Sequence, residues 1–567
     1  MPKALTRSNL TFVPTLVQNW EAAGALLADA AANYLHLSTS LAANNRDPRV
    51  SKGHLVSRID ASLQTLHKTL DQQLHQSRVA LANARNKWAS PIYRLPEEIL
   101  LEIFIFFVYG PSKNRHLFHP DAGERVRTMY QHLYALSGVC TGWRKITLSH
   151  PMFWSILPMV DGLNAFWDPL SIELSTQRSD PLNLHVVVDA THHPALFRKE
   201  DFNPLIQNLQ RAQSLNIRSQ HQQDIPYILP VLFRREIPEH LSDLSLTFTG
   251  EEDQIFRPSP ENDFVSRELK PLYPKFPKLM RSLRVFRINN VPFQWKHITF
   301  SARLVELRIE KIALSGNLEI TAFMTALSSA CSLRDLKIIQ VEASADSGST
   351  LPESRPLSLP RLKTVYFQDL YFNSLRLLLR SIAPCSHRLT LNLSDRVKHN
   401  LFADSRTEDV PEDTILQLLA QHTINKLILA DDLEDWAVGK RLNNLLRSLP
   451  ALKSLEIYFY ELDNKLFKSL EPASNAPDVP FPKLEVLEFR GCTIPGIITG
   501  LPRLVNKQSL QRLVLGQDVS LSGSKELAIN IDEKDKTVRW LKANVPGFRF
   551  ILHDDVISGF SDMTWEL

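Results

Sequence analysis

Few residues in this chain have the type and spacing that chemistry requires. His192 and His193 are adjacent, but a metal site would need further ligands at suitable spacing, and none follows. An acidic cluster just after a predicted strand consists of Asp431, Asp432, Glu434 and Asp435. No further pattern of oxygen ligands accompanies that cluster, so it does not resemble a cation site. We interpret both groups as residues of solvated loops.

The sequence contains none of the motifs that mark common active sites. It has no G-x-S-x-G turn, no G-x-x-x-x-G-K-[ST] loop, no G-x-G-x-x-G turn and no H-E-x-x-H helix. Its four cysteines are far apart and form no C-x-x-C pair, which is typical of buried, reduced thiols in an intracellular protein. We therefore predict no catalytic residues, no cofactor and no metal ion. An unrecognised hydrolase is the remote alternative.

Composition limits the class of protein. The 567 residues are 44% hydrophobic and 22% charged, with a formal net charge of +4, as expected for one or more globular domains. No long basic run interleaved with aromatic residues occurs, so we predict no binding of nucleic acid. No apolar run approaches the ~20 residues of a membrane-spanning helix, so we predict no membrane segment. We expect a location in the cytoplasm or the nucleus.

One predicted helix, just after Leu95 and Pro96, has apolar residues on both faces. One face carries Ile99, Leu100, Ile103, Phe104 and Phe107, and the other carries Leu101, Ile105, Phe106, Val108 and Tyr109. A helix that is apolar all round is buried on both sides. At about three turns it is too short to span a bilayer. Its own domain can cover one face, and the second face favours a partner protein.

These residues resemble an F-box. The family pattern Leu-Pro-x-Glu-Ile-Leu matches residues 95–100, and Val-Cys-x-x-Trp-Arg matches residues 139–144. The following His-Pro-Met-Phe-Trp, at 150–154, is similar to the tail common in fungal, and in particular basidiomycete, F-box proteins. Unlike the usual short link, Gly110 to roughly Gln131 separates the two motifs, and we interpret this polar insert as a surface loop.

The F-box resemblance implies a partner and a function. Such helices bind a small Skp-type adaptor, which links the chain to a cullin in an SCF-type ubiquitin ligase, while the ligase chemistry belongs to other subunits. The residues that match the family motif and would bind the adaptor are Leu95, Pro96, Ile99, Leu100, Ile103, Phe104, Val139 and Trp143.

Two long helices are predicted before the F-box, from about Leu16 to Leu41 and from about Leu55 to Trp88. The second has an apolar stripe with steps of 4, 4, 3, 4 and 4, formed by Leu55, Ile59, Leu63, Leu66, Leu70 and Leu74. This periodicity has coiled-coil character. The stripe either packs on the neighbouring helix of the same chain, which we favour, or pairs with another molecule.

From about residue 157 onward the pattern L-x-x-L-x-L recurs. Clear copies begin at residues 241, 283, 304, 333, 362, 424, 452, 484 and 510, and weaker ones lie at 212–217 and 391–393. Successive starts are often close to 29 residues apart (333 − 304 and 362 − 333), which is typical of leucine-rich repeats. Only Cys492 matches the family's Asn or Cys after the strand, so we expect a degenerate solenoid. Three inserts, Gly250–Lys278, Glu342–Pro360 and Glu471–Pro482, are predicted to be surface loops.

The predicted architecture is α/β, with N-terminal helices, a helical F-box unit and a curved repeat solenoid with a parallel inner sheet. We divide the chain into helical segments at 1–48 and 49–90, an F-box at 91–156, repeats at 157–545 and a tail at 546–567. We expect a protein target to bind the concave face through residues that alternate with the buried leucines: Arg287, Arg308, Lys337, Tyr366, Tyr458, Glu488 and Arg490. A non-ligase repeat scaffold remains the alternative.

Overall fold

The computed structural model describes most of the chain. The described residues are 12–43, 52–89, 91–110, 122–160, 169–190, 202–221, 223–250, 255, 269–291, 293–345, 356–382, 387–430, 436, 439–458, 462–471, 481–492, 500–508, 510–517 and 536–552. The chain divides into two compact units, Met1–Leu100 and Leu101–Leu567. Within the described residues no helix is long and apolar enough to cross a membrane.

The first unit consists of two long helical segments, as the sequence predicts. Helix α1 spans Phe12–Ala43. The second segment is α2 (Lys52–Ala61), a π-helical stretch (Ser62–His67) and α3 (Lys68–Ala89). A 3₁₀ turn, Pro91–Arg94, follows.

The apolar stripe of the second segment is not covered by α1. Ile59, Leu63, Leu66 and Leu74 are all exposed, and no residue of α2, the π-helical stretch or α3 is buried. The contacts found between the two segments include a 3.0 Å hydrogen bond between the hydroxyls of Tyr34 and Ser62. The favoured prediction, that this stripe packs on the neighbouring helix of the same chain, is therefore wrong for these four residues, while Leu55 and Leu70 of the stripe are half-buried.

Helix α4 (Glu97–Tyr109) begins in the first unit and continues into the second. It is followed by α5 (Ala122–Val139), α6 (Thr141–Ser149) and a 3₁₀ turn at Pro151–Trp154. Helix α5 includes residues 122–131, which the sequence analysis placed in a loop, and it buries Val126, Met129 and Tyr130. The polar appearance of the insert concealed three apolar residues at helical spacing (126, 129, 130). Residues 111–121 of the insert lie outside the described residues.

The second unit contains a sheet of 14 strands in which every neighbouring pair is parallel. Its strands, in sheet order, are β1 (Ile156–Val160), β2 (Leu184–Ala190), β3 (Ala212–Ser219), β4 (Asp243–Phe248), β5 (Val285–Asn289), β6 (Glu306–Glu310), β8 (Asp335–Ile339), β10 (Thr364–Gln368), β11 (Arg388–Leu393), β14 (Lys426–Leu429), β15 (Ser454–Tyr458), β16 (Val486–Cys492), β17 (Arg512–Gln517) and β18 (Gly547–Leu552). The parallel sheet predicted from the repeats is confirmed.

The crossovers contain helices and short secondary sheets. The helices are α7 (Pro169–Arg178), α8 (Asn203–Asn208), α9 (Asp224–Leu232), α10 (Phe276–Ser282), α11 (Asn317–Ser328), α12 (Phe372–Ser381), α13 (Glu412–Ala420), α14 (Gly439–Arg447), α15 (Asn464–Ser469), α16 (Gly500–Lys507) and α17 (Lys536–Asn544). Strands β7 (Ala313–Ser315) and β9 (Glu342–Ser344) pair in parallel, and β12 (His399–Leu401) pairs with β13 (Thr407–Asp409) in antiparallel.

The leucines of the repeat motif form the core of the second unit. Every apolar residue of the predicted copies is buried. Leu307, Leu336 and Val365 are register partners, so a step of 29 residues (336 − 307 and 365 − 336) advances the chain by one strand. The sheet also includes β1, β2 and β18, which lack the full motif, and it extends to Leu552, beyond the predicted end of the repeats at 545.

Two of the predicted surface loops are partly built into the fold. Gly250–Lys278 ends in a 3₁₀ turn, Lys270–Leu272, and the start of α10, where Leu272 and Phe276 are buried. Glu342–Pro360 begins with β9 and includes the buried Leu357 and Leu359. The apolar residues near the ends of these inserts belong to the core, while residues 251–254, 256–268, 346–355 and 472–480 lie outside the described residues.

Four strands end in the same turn. The first residue after the strand has a positive φ, close to 50°, at Asn290, Lys311, Gln340 and Asp369. Each of these residues donates its backbone N–H to a carbonyl of the next strand or the turn after it, at 2.9–3.1 Å, so the turn continues the ladder. The left-handed conformation costs an ordinary L-residue roughly 1–2 kcal/mol. Near the end of β16, where the register shifts between Phe489 and Cys492, the left-handed residue is Gly491, with a φ of 60°.

Lys311→Gly should therefore stabilise the protein. Glycine adopts the left-handed turn without the steric cost of a Cβ, and this gain exceeds its larger loss of backbone entropy on folding. We expect the free energy of unfolding, measured by urea denaturation, to increase by about 0.5–1 kcal/mol. Lys311→Ala removes the same side-chain functions but keeps the Cβ and is the control. An equal gain in the alanine variant would contradict the strain interpretation.

Candidate protein-binding surfaces

The residues that resemble the F-box motif build a small helical unit. The ring of Phe104 in α4 lies 4.8 Å from that of Trp143 in α6. The thiol of Cys140 caps α6 by accepting the backbone N–H of Trp143 at 3.4 Å, and Arg144 Nε donates to the carbonyl of Ser137 at 3.0 Å. In the Val-Cys-x-x-Trp-Arg segment, Cys140, Trp143 and Arg144 therefore join α4, α5 and α6.

The tail of the motif ends this unit and starts the sheet. Trp154 is buried, and its indole N–H donates to the carbonyl of Thr147 at 2.9 Å. Phe153 is fully buried and stacks on Tyr109 with 6.3 Å between the ring centroids. The guanidinium of Arg178 lies 4.4 Å from the centre of the Trp154 ring. Strand β1 starts two residues later, so the aromatic pair fixes where the helical unit ends.

Two buried polar contacts attach α5 to the first strands. The hydroxyl of Tyr130 donates to the carbonyl of Ile156 at 2.7 Å, and the backbone N–H of Gly123 donates to Asp189 Oδ2 at 3.0 Å. Tyr109 donates to the carbonyl of Met152 at 2.7 Å. Burial raises the pKa of Tyr130 and of Tyr109 well above the ordinary value of a phenol. Both hydroxyls therefore remain protonated donors at neutral pH.

Helix α4 separates its apolar residues into a covered line and an uncovered one. Leu100, Phe104 and Val108, four residues apart, are buried. Ile99 and Ile103 are exposed, as are Phe106 and Phe107, and Phe106 keeps 74% of its surface in solvent. On the covered side the helix thus packs as the core of a domain does. The uncovered side matches neither predicted face, because it combines Ile99, Ile103 and Phe107 of one face with Phe106 of the other.

The eight residues predicted to bind an adaptor differ in their exposure to solvent. Those exposed are Leu95, Pro96, Ile99, Ile103 and Val139. Leu100 and Phe104 are buried, and Trp143 is half-buried against Phe104, so these three belong to the internal packing of the helices. The motif comparison missed Phe106, Phe107 and Tyr134, which are exposed. For Phe106 and Phe107, the signal in the sequence was an apolar residue type within the α4 helix.

A second surface, here called the polar face, is formed by the strand residues that alternate with the buried leucines of the sheet. Arg287, Arg308, Lys337 and Tyr366 are consecutive register partners on β5, β6, β8 and β10. Strands in a sheet are about 4.8 Å apart, so three cations lie side by side. Two of them are neutralised on the same face, as described next.

Acidic residues of the polar face pair with the two arginines. Arg287 makes a bidentate contact with Glu306, at 2.7 and 3.0 Å, and Arg308 Nη2 lies 3.0 Å from Glu310. All four side chains are partly exposed. A bidentate guanidinium–carboxylate pair fixes the orientation of both groups. The polar face is therefore an ordered array of charges at this part of the sheet.

The tyrosine of this row is also held in place. The hydroxyl of Tyr366 donates to Gln368 Oε1 at 2.8 Å, and the side-chain amide of Asn392 lies 3.4 Å from that hydroxyl. Burial, opposed by the hydrogen bond from Asn392, raises the pKa of Tyr366 to about 12. The phenol thus presents a neutral, oriented edge beside Lys337.

Three of the seven predicted target-binding residues are buried. Tyr458, Glu488 and Arg490 expose 3%, 4% and 7% of their surfaces, so the expectation that they face solvent is wrong. Arg490 pairs with Glu488 at 2.6 Å, and Arg512 Nη2 approaches the same carboxylate at 3.1 Å. Burial alone lowers the pKa of Arg490, but the hydrogen bond and charge of Glu488 raise it overall. The i, i+2 spacing of opposite charges on one strand, at 488 and 490, was the signal for an internal pair.

A related cluster involves the neighbouring strands. Lys426 lies 2.7 Å from Glu456, which is itself buried. Burial and then the charge of Glu456 raise the pKa of Tyr458 above the ordinary value of a phenol. A buried pair of this kind fixes the geometry more than it adds stability. The accessible part of the predicted target surface is therefore Arg287, Arg308, Lys337 and Tyr366, to which the partly exposed Arg512 is added.

The residues first considered for chemistry lie largely outside the part of the chain that the structure describes. In the part of the chain that the structure describes, no group of three or more His, Cys, Asp or Glu residues could hold a metal ion. His192, His193 and residues 431–435 lie outside the described residues. Among the cysteines, Cys492 is buried, Cys140 is half-buried and Cys331 is exposed, so the expectation of buried thiols is wrong for Cys331. Cys385 lies outside the described residues.

Comparison with known proteins gives little similarity. No protein-family model matches the chain, and no curated protein matches it. Twenty chains of solved structures match, among them the leucine-rich repeat-containing protein LegL7 from Legionella pneumophila. That match has a TM-score of 0.31 and 13% identity, and it covers 62% of this chain and 97% of the other. The description of the fold therefore rests on the strand register and burial given above.

The attachment of α5 to the sheet predicts opposite effects for two glycines of that helix. A Cβ at Gly123 would lie 2.6 Å from Asp189 Oδ2 and 2.9 Å from Val160 Cγ1, whereas one at Gly138 would meet nothing within 4 Å. Gly123→Ala should lower the free energy of unfolding by about 1–3 kcal/mol, because it overpacks a buried contact. Gly138→Ala should raise it by up to about 1 kcal/mol through helix propensity.

Both variants are measured by urea denaturation, and hydrogen exchange of α5 locates the effect. Each replaces a glycine of α5 by alanine, so they differ only in what the added methyl group meets. Equal stabilisation by the two substitutions would show that the contact between Gly123 and Asp189 does not hold α5 against the sheet.

Proposed function

We propose that this chain is the substrate-receptor subunit of an SCF-type cullin–RING ubiquitin ligase. Its helical unit binds a Skp-type adaptor, and the polar face of its sheet holds a protein target. The observation that carries the proposal is the division of α4, in which Leu100, Phe104 and Val108 are buried while Ile99, Ile103 and Phe106 are uncovered. This helix also carries the Leu-Pro-x-Glu-Ile-Leu motif that resembles the F-box.

The uncovered line of α4 has the chemistry of a protein-binding surface. Phe106 and Phe107 follow Ile103 at helical spacing, so all three lie on one side of the helix. Large aromatic and branched side chains at the centre of an interface carry most of its binding energy. The internal packing of Phe104 on Trp143 holds this helix in place, so the surface is formed before a partner arrives.

The polar face supports the second half of the proposal. It is a row of partly exposed Arg, Lys and Tyr side chains on consecutive strands, each attached to a rigid backbone ladder. Arg and Tyr combine contact area with hydrogen bonding and are enriched at interface hot spots. The acidic partners Glu306 and Glu310 give the surface both signs of charge. A protein with complementary charges fits such a face better than a polyanion.

One observation favours the alternative of a non-ligase repeat scaffold. Leu100 and Phe104 of the motif are buried, and Trp143 contacts Phe104, so these motif residues have a structural role that needs no adaptor. In that case the helical unit would serve as the end of the repeat array. The two functions differ in whether the uncovered line of α4 binds another protein, and this difference can be measured.

We expect Ile103→Asp/Phe106→Asp to abolish binding of the Skp-type adaptor of the native host. Two carboxylates in an apolar interface stay desolvated and unpaired, which costs several kcal/mol and weakens binding at least 100-fold. Binding is measured by calorimetry with the full chain, and folding is checked by circular dichroism. Leu174→Asp/Leu318→Asp is the matched control, since both leucines are also exposed but lie on α7 and α11.

The control variant should bind the adaptor as the wild-type chain does. If the wild-type chain does not bind the adaptor at all, the ligase proposal fails and the scaffold alternative stands. If both double variants bind equally well, the uncovered line of α4 is not the docking surface.

Target binding should depend on the accessible part of the polar face. Lys337→Ala/Tyr366→Ala removes two register partners at the middle of the row. We expect it to reduce the capture of target proteins, identified by quantitative mass spectrometry of purified complexes, at least 10-fold while adaptor recovery stays unchanged. This loss corresponds to about 1.4 kcal/mol or more, as for a moderate hot spot. The control is Lys296→Ala/Tyr371→Ala, which removes the same two side-chain types outside the 14 strands.

Unchanged capture by the Lys337/Tyr366 variant would contradict the polar face as the target site. Equal losses in both variants would indicate an effect on folding and not on recognition. Because adaptor recovery is measured in the same complexes, failure of the target site is separated from failure of the ligase assignment.

A further inference from the structure

Helix α1 carries a long apolar surface that stays largely exposed. Its large side chains from Leu16 to Leu41 are exposed, and Trp20 keeps 54% of its surface in solvent. From Leu16 to Ala43 no residue of α1 is buried. Helices in water depend mainly on the packing of an apolar face, so a 32-residue helix without such packing lacks its main source of stability.

The apolar residues of α1 follow a heptad repeat. Steps of 4, 3, 4, 3, 4, 3 and 4 connect residues that we call the α1 seam: Leu16, Trp20, Ala23, Leu27, Ala30, Tyr34, Leu37 and Leu41. The pattern continues over more than three heptads, which is the sequence pattern of a coiled coil. The helix is about 48 Å long at 1.5 Å per residue, so the seam is a continuous stripe along most of its length.

The second helical segment does not match this repeat. Its stripe steps by 4, 4, 3, 4 and 4, an 11-residue period, and it contains the π-helical stretch Ser62–His67. A 7-residue period makes helices supercoil to the left, whereas an 11-residue period makes them supercoil to the right. The two stripes diverge if they are placed together. The second segment contacts the α1 seam at Tyr34, whose hydroxyl lies 3.0 Å from that of Ser62 and whose ring lies near His67, and the seam nevertheless stays exposed along its length. A helix with the same 7-residue period fits it.

The charges on α1 do not oppose self-association. Between Phe12 and Ala43 the only formally charged residues are Glu21 and Asp29, and the helix has no lysine or arginine. With Trp20 and Leu27 at position a of the heptad, Glu21 occupies position b and Asp29 position c, away from the seam. The flanking positions e and g, which decide partner choice in coiled coils, carry only uncharged residues: Val17, Asn19, Gly24, Leu26, Ala31, Asn33, Ser38 and Ser40. No charge next to the seam repels a second copy.

We propose that the α1 seam pairs with the α1 seam of a second copy of this chain, so that the protein is a homodimer. A second copy has the same period and the same length by construction. Trp20 and Tyr34 can each bury roughly 150 Å² or more. With the six other apolar residues, the seam reaches the ~800 Å² per partner of a standard protein interface.

This dimer goes beyond the proposed ligase function and does not require it. It gives the assembly two polar faces. A target with two copies of a recognised segment, or a target that is itself dimeric, then gains from the high effective concentration of the second site. A long exposed apolar surface promotes aggregation. The dimer would cover this surface of α1.

The test is the mass of the full chain in solution, measured by light scattering after size exclusion over a hundredfold range of concentration. We expect the wild-type chain to have twice the monomer mass of 64.7 kDa and to dissociate on dilution. Ala23→Glu/Ala30→Glu places four carboxylates in the seam of a dimer and should give the monomer mass. Ala25→Glu/Ala32→Glu makes the same change, with the same spacing, at outer positions f and should remain dimeric.

A wild-type chain that is monomeric at every concentration overturns the proposal, and so does a dimer that survives the substitutions in the seam. If a different protein co-purifies with the wild-type chain and is lost only from the seam variant, the seam binds a foreign helix and not a second copy. Both variants should still bind the Skp-type adaptor if the ligase proposal is right. Loss of adaptor binding and loss of dimerisation are therefore distinguishable outcomes.

Discussion

The parallel ladder is the constraint on which the rest of the second unit depends. Adjacent strands run in the same direction, so each must be reached by a crossover, and each crossover must return the chain to one register. Leu307, Leu336 and Val365 meet in that register after two steps of 29 residues. Later steps differ in length, for example 32 residues between Leu455 and Leu487 (487 − 455), yet the leucines still align. The crossovers differ in length, and the buried leucines of neighbouring strands keep the same register.

An open ladder also has ends, and the helical unit meets the first one. Strand β1 is the first strand of the sheet order. Helix α5 lies against this end through Tyr130, which donates to the carbonyl of Ile156, and through Gly123, which donates to Asp189 on β2. Repeat arrays need such caps, because an apolar terminal surface would remain in water. The helices that resemble an F-box therefore have a structural task whichever partner they bind.

The sequence predicts the strands of the array well, because one local signal decides them. A residue that alternates with polar neighbours and recurs near every 29 positions can face only the core. Strands β1 and β2 were not predicted because their alternating residues, such as Val186 and Val188, lack the leading aliphatic residue of the motif. Strand β18 has a variant copy, Val545, Phe548 and Phe550, which begins at the predicted end of the repeats. The first half of helix α5 was not predicted for a different reason, since the polar residues around Val126, Met129 and Tyr130 are typical of a loop.

The candidate surfaces show where sequence reasoning must stop. Periodicity tells which residues share a face, but it does not tell what covers that face. Leu100 and Ile99 are adjacent apolar residues of α4, and only the packing of the helices shows that the first is buried and the second exposed. On the polar face, Arg287 and Arg490 occupy the same kind of position, yet only Arg490 is buried with its carboxylate partner.

The α4 line and the α1 seam, both uncovered apolar surfaces, follow different physical rules. The α4 line is short and contains bulky, irregularly placed rings, of which Phe106 is the most exposed, so it calls for a partner whose pockets match them. The α1 seam is long and periodic, with small alanines at two positions and no charge beside it, so its best match is a helix with the same repeat. A surface of the first kind selects a foreign partner by shape. A surface of the second kind is complementary to itself, which is why we assign the α4 line to an adaptor and the α1 seam to a second copy of the chain.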